Sequence, residues 1–159
     1  MLRVKIICIG KLKEKYLREA QAEYLKRLGA FCKAEVVELP EAKLPDNPSE
    51  ALIKDGLKKE AKKILAEIPA GAFVYSLCIE GKGISSEELA KKIEETANNT
   101  SNVVFIIGSS FGLDEEIKLQ SAFKLSFSKM TFPHQLARIM LLEQIYRAFS
   151  INNNSKYHK

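Results

Sequence analysis

The sequence predicts an α/β domain: a parallel sheet with helices on both faces. Three observations carry this. Short β-prone runs alternate with stretches of helical periodicity, the pattern of parallel strands joined by right-handed crossovers. The first and fourth runs, within Arg3–Ile9 and Val103–Ile107, are apolar without alternation, as strands covered on both faces are. After the last strand the chain passes through Pro133 into a long helix that is apolar on nearly every side, which a lone surface helix is not.

The elements follow in order. Arg3 to Ile9 reads as the opening strand. Glu14 to Leu28 is a helix, with Tyr16, Ala20, Tyr24 and Leu28 at helical spacing and Gly29 as its stop. Phe31 to Leu39 is a second strand, and Pro40 to Pro48 a loop with three prolines. Ser49 caps a Lys/Glu-rich helix that ends near Ile68-Pro69. Ala72 to Ile79 is a third strand, closed by a turn over Glu80-Gly-Lys-Gly83. Ser85 or Ser86 caps a helix reaching about Ala97, and Val103 to Ile107 follows as a strand. Gly108 to Gly112 is a glycine-bounded loop, Asp114 to Gln120 a short helix, Phe123 to Phe127 the last strand, and Pro133 to Phe149 the apolar helix.

With 159 residues the chain fits one domain, 1–159, and can bury a proper core. A hydrophobic content of 46% and a charged content of 28% are those of an ordinary globular protein and exclude a disordered or fibrous class. No apolar run reaches the length of a membrane span, so no membrane partner is expected. The opening residues lack a signal-peptide layout, which makes the cytoplasm the expected location. Cys8, Cys32 and Cys78 have no metal-like spacing and fall in or beside strands, as small buried residues do, so no metal is expected. The net charge is +5, and from Lys118 onward seven cations face one acid, Glu143. Positive charge gathered in that part of the chain suits an anionic partner such as RNA, or simply a basic soluble surface.

Three segments could carry chemistry. Gly108-Ser-Ser-Phe-Gly112 lies between a buried strand and a helix. Read literally it is G-x-S-x-G, with Ser110 as the nucleophile of an α/β-hydrolase. Only His134 and His158 could serve as base, and Asp114 is too close in sequence to be the usual orienting acid. The same glycines also permit close approach of a ligand to the backbone, or simply a turn. The corner from Ser126 to Pro133 could hold a nucleoside through main-chain groups with Met130 and Phe132 as walls, or be an ordinary strand-to-helix turn with Pro133 at the helix start. The tail, Asn152 to Lys159, is expected to be mobile, yet Tyr157 and His158 pair a stacking surface with a group titrating near neutrality.

Taken together, Ile9-Gly-Lys-Leu-Lys-Glu-Lys-Tyr16, Leu77-Cys-Ile-Glu-Gly-Lys82, Phe105-Ile-Ile-Gly-Ser-Ser-Phe-Gly-Leu113, Leu125-Ser-Phe-Ser-Lys-Met-Thr-Phe-Pro-His134, Glu143-Gln-Ile-Tyr-Arg-Ala-Phe149 and the terminal Tyr157-His-Lys159 stand in a distinctive order. The chain resembles, over essentially its whole length, the RlmH type of SPOUT methyltransferase, which methylates N3 of pseudouridine 1915 in 23S rRNA. The resemblance implies a C-terminal trefoil knot, a homodimer with the apolar helix at its interface, and S-adenosylmethionine as cofactor. By matching positions, the cofactor contacts fall at Leu77, Gly108, Phe127, Ser128, Lys129, Met130, Thr131 and Phe132. His158 is expected nearest the proton that leaves the target imide, with Tyr157 stacking on or orienting the base and Arg138 contacting phosphate or making the imide easier to deprotonate. In a dimer the tail would complete the partner's pocket, and the substrate implied is the assembled ribosome. Two departures stand out. Ser109 replaces a glycine common in such proteins, costing about 1 kcal/mol if that position needs positive φ. Asn153-Asn154 stand where many members of the resembled family carry Arg-Gly and others small polar residues. A serine hydrolase built on Ser110 and a cofactor-less RNA-binding dimer remain the competing classes.

Overall fold

A computed structural model describes all of residues 1–159. Five parallel strands form one sheet in the order β2-β1-β4-β3-β5. They are β1 (Arg3–Ile9), β2 (Lys33–Leu39), β3 (Phe73–Gly83), β4 (Asn102–Ile107) and β5 (Phe123–Ser126). The helices are α1 (Lys15–Leu28), α2 (Glu50–Glu67), α3 (Ser86–Ala97), α4 (Glu115–Gln120) and α5 (His134–Asn152). The two strands without apolar alternation, β1 and β4, are neighbours well inside the sheet.

Strand alternation divides the core in two. On one face Val4, Ile6, Cys8, Phe105 and Tyr75 meet α1, α3 and the buried stripe of α5, Leu141, Leu142, Ile145 and Ala148. On the other face Ile7, Ile9, Val104 and Ile106 meet Ala61 and Ile64 of α2 and Ile117 of α4. Tyr75 stacks on Phe105 with ring centroids 4.6 Å apart in the first core. Helix α5 packs against both α1 and α3, which accounts for its broad apolar surface.

Local signals set the helix starts. The hydroxyl of Ser49 accepts the N–H of Leu52, and that of Ser85 accepts the N–H of Glu88, with Glu87 and Glu88 favourably placed in the first turn. Four expectations need correction. Strand β2 begins at Lys33, because the N–H groups of Phe31 and Cys32 are taken by the carbonyl of Leu28. No turn closes β3 at Glu80: the strand continues to Gly83 past an irregularity at which both Leu77 and Lys82 pair with Leu125. Helix α5 runs beyond Phe149 to Asn152. The tail is not loose, since Asn154 takes a left-handed conformation (φ 55) and turns the chain back along α5, with the N–H of Ser155 on the carbonyl of Ser150.

Candidate active site

The C-terminal ends of the strands open onto a cavity of about 450 Å³. Three stretches build it: the β3 irregularity from Leu77 to Glu80, the loop Gly108–Gly112 after β4, and the corner from Ser126 into the first turn of α5. Ligands of open α/β sheets bind at this end. Seven of the predicted cofactor positions line the cavity (Leu77, Gly108, Phe127, Ser128, Met130, Thr131 and Phe132), and the eighth, Lys129, stands between lining residues without lining it itself.

Each stretch has a local cause. A Cβ on Gly108 would run into the backbone of Gly112, so the loop can fold this tightly only with glycine there. Gly112 itself has φ of +90. Ser109 bridges to Gly112 and does not lie at positive φ, so the penalty considered for a serine at this position does not arise. In the corner, the hydroxyl of Ser126 donates to the carbonyl of Ser128, and the hydroxyl of Ser128 accepts the N–H of Met130. Those two bonds shape a short turn and leave the N–H groups of Lys129, Thr131 and Phe132 with no acceptor in the chain. Such a nook offers free main-chain donors beside apolar walls, the composition of a site for a nucleoside. At its rim Lys118 donates to Glu80, and this hydrogen bond holds the Glu80 carboxyl below its ordinary range.

Ser110 lines the same cavity as His134, but its hydroxyl makes no hydrogen bond with either histidine. No nucleophile–base pair of the hydrolase kind is assembled.

Tyr157 and His158 gather with Arg147 at a separate place, on the α3–α5 side. The Glu143 carboxylate accepts from Tyr157 Oη at 2.6 Å, Tyr24 Oη at 3.0 Å and Arg147 Nε at 2.8 Å. The Arg147 guanidinium lies over the Tyr157 ring, 4.8 Å from its centroid. Arg147 Nη1 is 3.1 Å from His158 Nδ1, and His158 Nε2 is 2.7 Å from Glu87 Oε1. Arginine can only donate, so Nδ1 accepts and Nε2 donates to Glu87, an arrangement satisfied by the neutral ring. The lone pair that a base would use is therefore covered. The hydrogen bond to Glu143 raises the Tyr157 phenol above its ordinary range, and burial together with Glu143 pushes Tyr24 up to about 12. Both phenols stay protonated and donate.

Arg138 does not join this group. Its side chain is 1% exposed and tied to Glu38, so it cannot reach a phosphate, which corrects the role expected for it. Arg147 is the cation beside Tyr157 and His158, and sequence reading passed it over. Its only signal was the four-residue step from Glu143 along a helix, which marks common surface ion pairs equally well.

The family profile described as Predicted SPOUT methyltransferase matches residues 2–158. This chain belongs to the SPOUT methyltransferase family. Three relatives called ribosomal RNA large subunit methyltransferase H show how close the likeness is. The protein from Streptococcus suis (strain 05ZYH33) is 50% identical over 159 residues, covering 99% of this chain and all of the relative. That from Bacillus thuringiensis (strain Al Hakam) is 52% identical over 159 residues with the same coverage. That from Clostridioides difficile (strain 630) is 49% identical over 162 residues, again with 99% and 100% covered. As a SPOUT methyltransferase the chain keeps the parallel α/β sheet expected from its strand pattern. No helix is long and apolar enough to cross a membrane, and no cluster of three metal-ligating side chains is present.

Proposed function

We propose that this protein transfers a methyl group from S-adenosylmethionine to N3 of pseudouridine 1915 of 23S rRNA in assembled ribosomes, working as a homodimer with a knotted C-terminal half in the cytoplasm. The observation that carries the reading is the end-to-end likeness to large-subunit rRNA methyltransferases, at about half identity, in a chain with a nucleoside-sized cavity at the strand ends. The free N–H groups at Lys129, Thr131 and Phe132 and the tight Gly108 loop suit the adenosine and amino-acid parts of the cofactor.

The cofactor supplies an electrophilic methyl on a sulfonium. The protein's part is alignment, together with handling of one proton. The imide N–H of the target must lose its proton, and His158 is the base assigned to it once Nδ1 is freed from Arg147. Arg147 then balances the negative charge on the deprotonated ring, and Tyr157, held by Glu143, offers its face to the base. Neither Tyr157 nor His158 lines the cavity of its own protomer, which supports a site completed by the partner's tail.

The direct test is transfer of labelled methyl to ribosomes lacking the modification, followed by mapping of the modified base. Incorporation at any other nucleotide, or none, would reject the reading. Removing Tyr157 to Lys159 is expected to abolish transfer while leaving cofactor binding, measured by calorimetry, within about twofold, since 1.4 kcal/mol would be needed for tenfold. Full activity of the truncated protein would reject the role given to the tail.

A further inference from the structure

We propose that Arg138 is a positioning residue: a buried clamp that locks the first turn of α5, and with it the cofactor corner, onto the β1 and β2 ends of the sheet. The inference rests on the methyltransferase reading for the identity of the ligand only. Arg138 is one of the largest fully buried side chains in the molecule. From α5 it reaches three separate elements. Nη1 donates to Glu38 at the end of β2 and, at 3.1 Å, to Gln21 of α1, and Nη2 donates to the carbonyl of Gly10 at 3.1 Å.

Gly10 has φ of +98, the left-handed conformation that glycine tolerates, and this sets the path of the loop whose carbonyl Arg138 engages. The same loop meets α5 again where the N–H of Lys13 is accepted by Gln135 Oε1 at 2.9 Å. It is braced from behind by Arg18 Nη1, which donates to the carbonyls of Leu12 and Lys13. The α5 residues thus fixed, Gln135 and Arg138, lie within six positions of Phe132, and their neighbours Pro133, His134 and Ala137 line the cavity.

A buried ion pair is a weak source of stability, because desolvation offsets most of its attraction. Arg138 carries an additional penalty, since its Nε has no partner at all. An apolar side chain would fill the space with less loss. What an apolar side chain would not do is hold one helix turn against three elements at fixed distances. A corner held in its binding shape in advance binds more tightly than one that must be ordered by the ligand.

The test is the paired substitution Arg138→Met with Glu38→Gln, which removes both charges and leaves neither stranded. We expect a folded protein with an unchanged melting midpoint and S-adenosylmethionine binding about tenfold weaker by calorimetry. We expect kcat on ribosomes at saturating cofactor to stay near wild type, and faster hydrogen exchange at the amides of residues 129–135 without ligand. Arg138→Lys keeps the charge but cannot span three acceptors, so it should move affinity and exchange the same way by less. Wild-type affinity and wild-type exchange in these folded variants would overturn the clamp. A wild-type protein that gives no heat with S-adenosylmethionine would overturn the methyltransferase reading instead, because the exchange signature needs no cofactor.

Discussion

Glu60 lies 5% exposed on α2, beneath the proline-rich loop, where its carboxylate accepts the N–H of Ala42 at 2.9 Å. Burial raises its pKa above the ordinary 4.5, and the Ala42 hydrogen bond only partly counters this. A carboxyl that is harder to ionise in the folded state binds more protons there than in the unfolded chain. Stability contributed by Glu60 is then complete at acid pH and declines as pH rises from the ordinary carboxyl value through the raised one. Glu60→Gln keeps the acceptor for Ala42 without the charge, so it should melt higher than wild type at pH 8, with the gap closing toward pH 4. Thermal melts across that range check the sign, and a gap that widens in acid would refute it. At this scale the sequence was legible for Gly108, whose glycine is demanded by the close passage of Gly112, but not for Arg138 or Arg147. One is enclosed and the other faces His158 of the tail, and a residue name does not reveal which. Asn154 is a similar case. Its left-handed backbone is one that asparagine tolerates and most other side chains avoid, yet nothing in the residue name announced a chain reversal there.

Among the elements, β3 departed furthest from expectation. Glu80-Gly-Lys-Gly83 has turn composition, yet the strand resumes because β5 offers pairing partners on the far side of the irregularity. A Cβ on Gly81 would come within 2.8 Å of the Lys124 and Leu125 backbone. Gly81→Ala should therefore push β3 and β5 apart and destabilise by about 2 kcal/mol, the usual scale of overpacking. It should also weaken cofactor binding, since both strands feed the cavity. Urea unfolding with an unchanged slope and a lower midpoint would show the first effect, calorimetry the second. Strand and helix cores were readable because periodicity reports burial, and burial dictated the two-sided sheet. Pairing partners distant in sequence leave no such periodic trace, so the continuation of β3 and the fold-back of the tail were not readable.

At the scale of the molecule, the strand order, with β4 between β1 and β3, brings loops distant in sequence to one edge of the sheet. Alternation of strands and helices indicated a parallel sheet but could not specify that order, which depends on which crossovers pack best. The cavity follows from the order: its three walls come from the ends of β3, β4 and β5. Helix α5 links this place to the cluster of Glu143, Arg147, Tyr157 and His158. Ala137 faces the cavity, and six residues further on Glu143 grips Tyr157, about 9 Å along the axis and on a different side of the helix.

That offset has a genetic consequence. If each reaction centre of a two-fold pair takes its nook from one subunit and its tail from the other, two inactive mutants can rescue one another. Mixing Gly108→Val protein with protein lacking Tyr157 to Lys159, after unfolding and random reassociation, would yield hybrids in half of the pairs. Each hybrid would carry one doubly damaged centre and one intact centre, restoring about a quarter of wild-type turnover. A mixture as dead as its parents would mean that every subunit works alone.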